Sequence, residues 1–284
     1  MPQKHLLWAV LTFSAGVLVL AAHECSLLPD GRFHIHLLDV GQGDALLLTT
    51  PSGKQVVIDG GPDLSLLERL GRHMPFFDRT IELLVLTHPD ADHISALPEI
   101  LKRYRVERML LSGVQYGSSR YAALLAGLEK ARIPTLLPKP GSTLVIGDGV
   151  ELDVLWPRAS TSFARAAGSN ETSVVLLVRY GEQRLLCTGD IEAEQETAIL
   201  ASGADVHATV LKVPHHGSRT SSSTGFLLAV RPEIALISVG KENTFGHPHP
   251  DVLERYTHLA IPVRSTARDG TISLEFTGKN APSL

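Results

Sequence analysis

The chain has 284 residues, of which 44% are hydrophobic and 20% are charged, a length that fits one or two domains. The apolar fraction excludes an intrinsically disordered protein, and two cysteines are too few for a disulfide-stabilised scaffold. The formal net charge of −4 argues against a broad cationic surface for nucleic acid, but leaves open contact with phosphate through bound metal ions.

The first distinctive segment is an uncharged apolar run over residues 6–22, which follows Lys4 and His5. A helix needs roughly 17–25 apolar residues to span a bilayer, whereas the apolar core of a signal peptide has about 7–15. We therefore expect a membrane anchor or a signal segment over residues 1–30, with a buried core helix as the alternative. Either export interpretation places the rest of the chain outside the cytoplasm, as a membrane-anchored, periplasmic or secreted domain.

Beyond residue 31, short β-branched or leucine-rich runs alternate with Gly, Pro and Asp, which is typical of strands separated by turns. The predicted strands cover residues 33–40, 45–50, 55–59, 81–86, 108–111, 150–155, 173–180, 184–188, 208–213, 234–239 and 271–276. Helical periodicity predicts helices over 64–70, 95–104, 121–131, 192–201, 222–230 and 251–258. We interpret residues 31–284 as one mixed α/β domain. Spacing alone does not distinguish a sandwich of two sheets from a doubly wound single sheet.

The strongest chemical signal follows the predicted strand 81–86 and reads THPDADH. Two histidines and two carboxylates, His88, Asp90, Asp92 and His93, lie within six residues. Imidazole and carboxylate groups suit zinc, manganese or iron, and the lack of a nearby cysteine argues against a structural zinc site. The alternative is that the aspartates cap the following helix. The density of the cluster favours a metal site.

Three further fragments lie at the ends of predicted strands: Gly189-Asp190, the pair His215-His216, and His247 with His249. Histidine and aspartate that recur at strand ends are typical of a site built along one edge of a sandwich. Neighbouring side chains of an extended chain point to opposite faces, so His215 and His216 are not expected to share one role. We expect His215 to be the metal ligand and His216 to support it or to contact substrate.

These fragments together resemble the metallo-β-lactamase-fold hydrolases, whose signature is His-x-His-x-Asp-His, a Gly-Asp and a late histidine. Five motifs more narrowly resemble the C-terminal hydrolase domain of ComEC-type competence proteins, which act in DNA uptake: DVGQGDA at 39–45, IDGG at 58–61, LTHPDADH at 86–93, SNETS at 169–173 and LKVPHHGS at 211–218. The matching motifs extend from about residue 33 to residue 249. The resemblance implies a four-layer αββα sandwich with metal ions at one edge, between two sheets.

The resemblance also implies a ligand set of one or two divalent ions, zinc, manganese or magnesium. The better-preserved site would comprise Asp92, His93, Asp190 and His215. The other site would keep His88 and Asp90, with Asp190 bridging. This chain departs from the superfamily signature at two points, which limits how far the ligand set can be carried over. Asp90 replaces the second histidine, and Ser169 and Asn170 stand where the superfamily has a further histidine.

The predicted function is that of a metal-dependent phosphodiesterase or nuclease acting on DNA, or on another phosphodiester, through a metal-activated water. Asp92 is an alternative general base, and His247 is expected to donate to a phosphate oxygen. Candidate substrate contacts are Gln42, Asp44, Asn170, His216 and Ser218. Lys212, Arg219, Arg264 and Arg268 are interpreted as scattered solvated charges, with a strand-binding groove as the alternative.

Two other functions stay open. The acidic composition favours hydrolysis of a different ester, such as a phosphocholine ester or a lactone, because few basic residues are available to follow a phosphate backbone. The missing histidine near Asn170 favours a non-catalytic accessory module that binds metal only for stability.

Overall fold

The computed structural model describes residues 2–157 and 169–277. The first helix, α1 (Pro2–Ser26), carries the apolar run, and side chains such as Phe13 and Leu18 are exposed. Within the described part of the chain, no helix is both long and apolar enough to cross a membrane, so the predicted anchor is not confirmed. The Lys4 side chain and residues 278–284, the end of the predicted domain 31–284, lie outside the described residues.

The strands form two large sheets. The first part of the chain contributes β1 (Phe33–Leu37), β2 (Leu46–Thr49), β3 (Gln55–Ile58), β4 (Thr80–Ile81), β5 (Leu83–Leu86), β6 (Arg105–Val106), β7 (Met109–Leu111) and β8 (Thr135–Leu136). The rest contributes β9 (Thr143–Gly147), β10 (Val150–Trp156), β11 (Val175–Tyr180), β12 (Gln183–Cys187), β13 (Val210–Lys212), β14 (Ile234–Ile237), β15 (Val263–Ser265) and β16 (Ile272–Phe276). The strand orders are β16-β1-β2-β3-β5-β7-β8 and β15-β14-β13-β12-β11-β10-β9, with a separate pair β4-β6.

The helices beyond α1 lie between strands in the sequence. They are α2 (Ser65–His73), α3 (Ala91–Ile94), α4 (Leu97–Arg103), α5 (Ser119–Ala131), α6 (Ala193–Ala201), α7 (Thr224–Val230), α8 (Pro250–His258) and α9 (Thr266–Asp269). Two short 3₁₀ turns, Asn170–Thr172 and Pro214–Gly217, complete the described structure.

Hydrophobic side chains separate the molecule into four layers. Ile35 and Val85 of the first sheet pack with Leu176 of the second in a core between the sheets. On the outer face of the first sheet, a second cluster includes Leu97 and the other apolar residues of α2, α4 and α5, and a third cluster joins α6, α7 and α8 to the outer face of the second sheet. The predicted αββα sandwich is therefore confirmed, and the doubly wound single sheet is excluded.

Every predicted strand and helix of residues 31–277 has an observed counterpart, with bounds that differ by a few residues. The predictions omitted the strands β6, β8, β9 and β15 and the short helices α3 and α9. β9 is an edge strand that alternates between exposed and partly buried positions, and β15 is partly exposed throughout. β9 and β15 lack the continuous apolar runs that predicted most of the other strands.

Strand direction brings the functional loops to one edge. β3, β5 and β7 run parallel in the first sheet, and β12, β13 and β14 run parallel in the second. Because carboxyl ends of parallel strands meet at one edge, the segments that follow these strands lie together. At one side of the first sheet, β1 pairs antiparallel with the edge strand β16, and Phe33 lies opposite Phe276.

Candidate metal centre

Four side chains converge at this edge. Asp92 and His93 follow β5, Asp190 follows β12, and His216 follows β13; one ligand atom from each lies within 4.8 Å of the others. His216 Nε2 is 3.3 Å from both Asp92 Oδ2 and Asp190 Oδ2, and His93 Nε2 is 3.4 Å from Asp190 Oδ2. The two sheets thus contribute equally to one cluster of imidazole and carboxylate groups.

The donor set fits a divalent cation. Among the described residues, the buried Nε2 atoms of His93 and His216 have no hydrogen-bond partner with acceptable geometry. Two ligands of one tetrahedral ion, each about 2.1 Å from it, lie roughly 3.4 Å apart, which is close to the separations in this cluster. Buried polar atoms without partners are costly, and a cation between them would satisfy both nitrogens.

Asp59 orients His93 from behind. Its Oδ2 accepts a hydrogen bond from His93 Nδ1 over 2.9 Å, which leaves Nε2 directed at the cluster. Thr87 fixes Asp59 in turn, because its backbone N–H and its hydroxyl both donate to that carboxylate, over 2.8 and 2.7 Å. Carboxylates commonly hold metal-binding histidines in this way. Asp59 lies in the IDGG motif but is not among the residues predicted to form the site.

The geometry favours His216 over His215, the reverse of the sequence prediction. The prediction assumed an extended chain, but both histidines lie in the left-handed region, at φ 48° and 52°, within the turn Pro214–Gly217. His216 is buried, and its Nδ1 donates to the carbonyl oxygen of Ser238 over 2.9 Å, so that Nε2 points into the cluster. His215 lies at the rim, with its Nε2 3.9 Å from Asp190 Oδ2.

The second predicted site is less complete. His88 is fully buried, and its Nε2 lies 3.6 Å from Asp90 Oδ2. Asp90 stands at the N-cap of α3 without a side-chain capping bond, so the helix-cap alternative fails. Its other oxygen accepts a hydrogen bond from the Tyr116 hydroxyl, a neighbour that no sequence motif indicated. Within residues 2–157 and 169–277, no third ligand joins His88 and Asp90 in a tight group.

The imidazoles and carboxylates of the cluster are electrostatically coupled. Burial tends to lower the pKa of His93 and of His216, but Asp190 and the neighbouring aspartates raise it well above its ordinary value, so a bound cation would have to displace a proton from each ring. Burial alone raises the pKa of Asp190, but His216 and His93 outweigh it and hold that pKa well below its usual range. Burial lowers the pKa of His88 to about 4, with a further contribution from the charge of His93. His88 is therefore neutral at pH 7, as a metal ligand must be.

Lys212 and Asp44 form a buried ion pair beside the cluster. Only 1% of either residue is exposed, and Lys212 Nζ also lies 3.9 Å from Asp190 Oδ1. Burial tends to lower the pKa of Lys212, but Asp44 and Asp190 raise it, so the ammonium stays charged. This corrects two predictions: Lys212 is not a solvated charge, and Asp44 is too buried to contact substrate.

Two other predicted substrate contacts, Ser218 and Gln42, have hydrogen-bond partners within the protein. Ser218 is 7% exposed and hydrogen-bonds through its hydroxyl to the Thr220 hydroxyl. Gln42 Oε1 accepts a hydrogen bond from the Gly240 backbone over 3.2 Å and so joins two loops. The Ser218 hydroxyl and the Gln42 amide oxygen are thus engaged within the protein, and substrate contact by either residue stays a prediction.

The rim of the cluster carries the remaining candidates. Asn170 Nδ2 lies 3.4 Å from Glu192 Oε1, which is also 3.4 Å from His215 Nδ1. His247 is partly buried, and its ring centroid is 5.6 Å from that of His215. Burial lowers the pKa of His247, and the charges of His215 and His216 lower it further. These side chains border the cluster without joining it.

Comparison with known proteins matches residues 38–241 to the model of the metallo-β-lactamase superfamily. ComE operon protein 3 of Bacillus subtilis is 30% identical over 259 residues, which cover 85% of this chain and 33% of that protein. Recombination protein 2 of Haemophilus influenzae is 32% identical over 253 residues, covering 86% and 29%. Competence protein ComA of Neisseria gonorrhoeae is 27% identical over 270 residues, covering 93% and 35%. The chain thus spans about a third of the length of these relatives.

Solved structures of low sequence identity share the fold. The metallo-β-lactamase-fold protein YhfI from Bacillus subtilis superposes with a TM-score of 0.55 at 9% identity, over 86% of this chain and all of that one. CmlA, a diiron β-hydroxylase from Streptomyces venezuelae, gives a TM-score of 0.50 at 15% identity, over 86% of this chain and 54% of that one.

Proposed function

Because this chain belongs to the metallo-β-lactamase superfamily, we propose that it is a metal-dependent hydrolase that cleaves phosphodiester bonds in DNA. The observation that carries the proposal is the convergence of Asp92, His93, Asp190 and His216, whose unpartnered nitrogens and carboxylate oxygens fit a divalent cation. The DNA substrate is supported by relatives that are named for competence and recombination.

These four residues would hold one zinc, manganese or magnesium ion, and His88 and Asp90 would contribute to a second, weaker site that shares Asp190. A cation bound there supplies Lewis acidity, which polarises a phosphoryl oxygen and makes water a stronger acid. Asp59 fixes the orientation of the His93 ring, and the Ser238 carbonyl fixes that of the His216 ring. Both rings therefore need little rearrangement to bind the cation.

Asp92 fits the role of a ligand better than that of a general base. Its side chain is 34% exposed, which gives it access to both the cluster and the solvent. Burial tends to raise the pKa of Asp92, but the imidazoles of His216, 3.3 Å away, and of His93 lower it well below its ordinary value. A carboxylate of such low pKa is a weak proton acceptor.

We assign substrate contact to the rim. His247 has a lowered pKa, so at neutral pH its imidazole is uncharged and can donate one N–H to a phosphate oxygen. His215 and Asn170 border the same opening and are further candidate donors. Local contacts of this kind suit an acidic protein that lacks a broad cationic surface.

The test combines elemental analysis with cleavage of end-labelled DNA by the full chain supplied with manganese. Asp92→Ala and His216→Ala should each lose metal and lower the cleavage rate by more than the roughly 10–100-fold typical of residues that support ligands. His215→Ala should retain metal, and His258→Ala, on the exposed side of α8, should match the wild type throughout. Intact DNA after incubation with metal-loaded wild type would refute the nuclease proposal.

A second hydrolytic function is favoured by the net charge of −4, which weakens contact with a long phosphate backbone. The candidate substrates are a phosphocholine ester and a lactone. Assays on these compounds and on DNA distinguish the two functions. Hydrolysis of a phosphocholine ester or a lactone, with DNA left intact, would favour the second function.

A non-catalytic accessory role is favoured by Asn170, which stands where the superfamily has a metal-binding histidine. This role predicts that no substrate in the panel is hydrolysed, even by protein that holds a metal ion. A stoichiometric ion together with turnover would exclude it.

We also propose that residues 31–284 form the hydrolase domain and function outside the cytoplasm, since the apolar run over residues 6–22 resembles an export segment. Fusion of alkaline phosphatase to the end of the full chain tests this proposal, because that reporter is active only after export. An inactive but intact fusion protein would contradict it.

A further inference from the structure

A series of aromatic rings leads from the surface to the metal cluster. Phe245 is 68% exposed, and its ring stacks on that of His247 with centroids 6.0 Å apart and planes at 25°. His247 meets His215 edge-on at 5.6 Å, and His215 meets the ligand candidate His216 at 6.3 Å. The rings of His247 and His215 therefore separate the exposed phenylalanine from His216, a member of the cluster.

The loop that carries Phe245 is held on both sides. The Asn243 side chain donates to the carbonyl oxygens of Gly240 and His247, and it accepts a hydrogen bond from the His247 backbone N–H. Beyond the loop, the His249 backbone N–H donates to the Gly217 carbonyl oxygen over 2.9 Å. The ring of Phe245 is thus presented on a supported loop that is tied to the turn bearing His216.

Few positive charges near the rim are available for a phosphate backbone: the loop that carries Phe245 contributes the exposed Lys241, which is followed by the exposed Glu242. The chain is acidic overall, and the nearby Arg219 lies 3.3 Å from Asp251 in an ion pair. Proteins that bind single strands gain much of their affinity from stacking of bases on aromatic rings, a contact that any base provides. In a duplex the base faces are covered by neighbouring bases and are not available for such stacking.

We infer that Phe245, supported by His247, is a stacking platform for an unpaired nucleobase beside the scissile phosphate, so that the substrate is single-stranded DNA. This inference rests on the proposed function and specifies its substrate. The base lies on the exposed face of the Phe245 ring, while its phosphate reaches the rim residues His247 and His215.

The first experiment compares the wild type with Phe245→Ala in the metal-loaded full chain, on a single-stranded oligonucleotide and on the matching duplex. Loss of one stacked base should weaken binding and lower kcat/KM on the single strand by about tenfold. The metal content should not change, because Phe245 lies outside the cluster. Phe77→Ala is the matched control, since Phe77 is 63% exposed but lies before β5, at the edge opposite the metal cluster.

The second experiment removes the base rather than the ring. A series of oligonucleotides, each with one abasic site at a different position, is compared with the intact strand. At one position the loss of the base should weaken binding to the wild type about tenfold. At that same position Phe245→Ala should bind the abasic and the intact strand equally, because the ring that would stack on the base is already missing. In Phe245→Trp, stopped-flow mixing with the intact single strand should quench the new tryptophan fluorescence, and the duplex should not.

The outcomes separate this inference from the proposed function. Quenching by single strands without any DNA cleavage supports the platform and refutes the nuclease. Cleavage of DNA at wild-type rates by Phe245→Ala, or equal affinity for single strand and duplex, refutes the platform and leaves the nuclease intact.

Discussion

At the scale of single residues, the buried ammonium of Lys212 balances the carboxylates behind the cluster. Lys212→Met would leave Asp44 buried without its partner, and we expect the free energy of unfolding to fall by about 3–5 kcal/mol. Urea unfolding of the chelated protein at pH 7 measures this change.

The control for Lys212→Met is Lys139→Met, because Lys139 is exposed. The double variant Lys212→Met with Asp44→Asn removes both charges and should recover part of the lost stability. If the free energy of unfolding of Lys212→Met lay within about 1 kcal/mol of the wild-type value, the loss would be no larger than that of an exposed ion pair. Such a result would show that the pair is not needed for charge balance.

The residues of the site differ in how far sequence could identify them. The motifs at the ends of β5 and β12 indicate the loops that carry His88, Asp92, His93 and Asp190. The choice between His215 and His216 could not be made from the sequence, because the geometry that favours His216 depends on two consecutive left-handed residues, and such a backbone is not expected of histidine. Tyr116 reaches Asp90 only through the fold.

At the scale of elements, strand β1 carries a pH-sensitive contact on its outer face. The ring centroid of His36 lies 4.4 Å from that of His73, at the end of α2, and His36 Nδ1 is 2.8 Å from the Ser273 hydroxyl. Burial lowers the pKa of His36 to about 3, and the charges of His73 and His34 contribute in the same direction. Folding therefore holds this imidazole neutral.

This contact predicts a loss of stability in mild acid. The unfolded chain binds a proton at His36 below pH 6.5 and the folded chain does not, so stability is fully present above pH 6.5 and falls as the pH decreases toward 3. Between pH 6.5 and pH 5 the contribution of His36 is about 2 kcal/mol. His36→Gln should flatten the dependence of the free energy of unfolding on pH in that interval by this amount.

His258→Gln provides the comparison for His36→Gln, because the His258 side chain is 73% exposed. Denaturant unfolding between pH 5 and pH 7 gives both slopes. An unaltered slope in His36→Gln would assign the acid sensitivity to other groups.

The elements of the sandwich were predictable where burial is continuous. Strands such as β5, which is buried throughout, and helices such as α2 follow directly from apolar runs and periodicity. The short, partly exposed strands β8 and β15 depend on pairing with a neighbour that is remote in sequence, and a local pattern does not record that neighbour.

At the scale of the whole molecule, the metal cluster connects the two sheets, since Asp92 and His93 follow a strand of one and Asp190 and His216 follow strands of the other. A ligand that binds only the folded state at 100 times its Kd adds about 2.7 kcal/mol of stability. For a protein of this size we expect chelation to lower Tm by roughly 5 °C. Differential scanning calorimetry with and without EDTA measures the shift.

Asp92→Ala supplies the reference for chelation, because a protein that has lost the metal should show the same Tm with and without EDTA. A wild type whose Tm is also unchanged by EDTA would argue against a bound ion under those conditions.

The arrangement of the layers was predicted from the motif resemblance, because the spacing of strands and helices fits a single sheet equally well.

The pairing of β1 with β16 has a consequence for how the sandwich is connected to other polypeptide. Phe33 and Phe276 sit opposite each other on adjacent strands, so the unit begins and ends at one place on its boundary. A protein chain can enter and leave such a unit at a single point, without passing the edge that carries the candidate metal cluster. The same sandwich can therefore be a self-contained insert in a larger architecture, in keeping with relatives in which the matched region is about a third of the length.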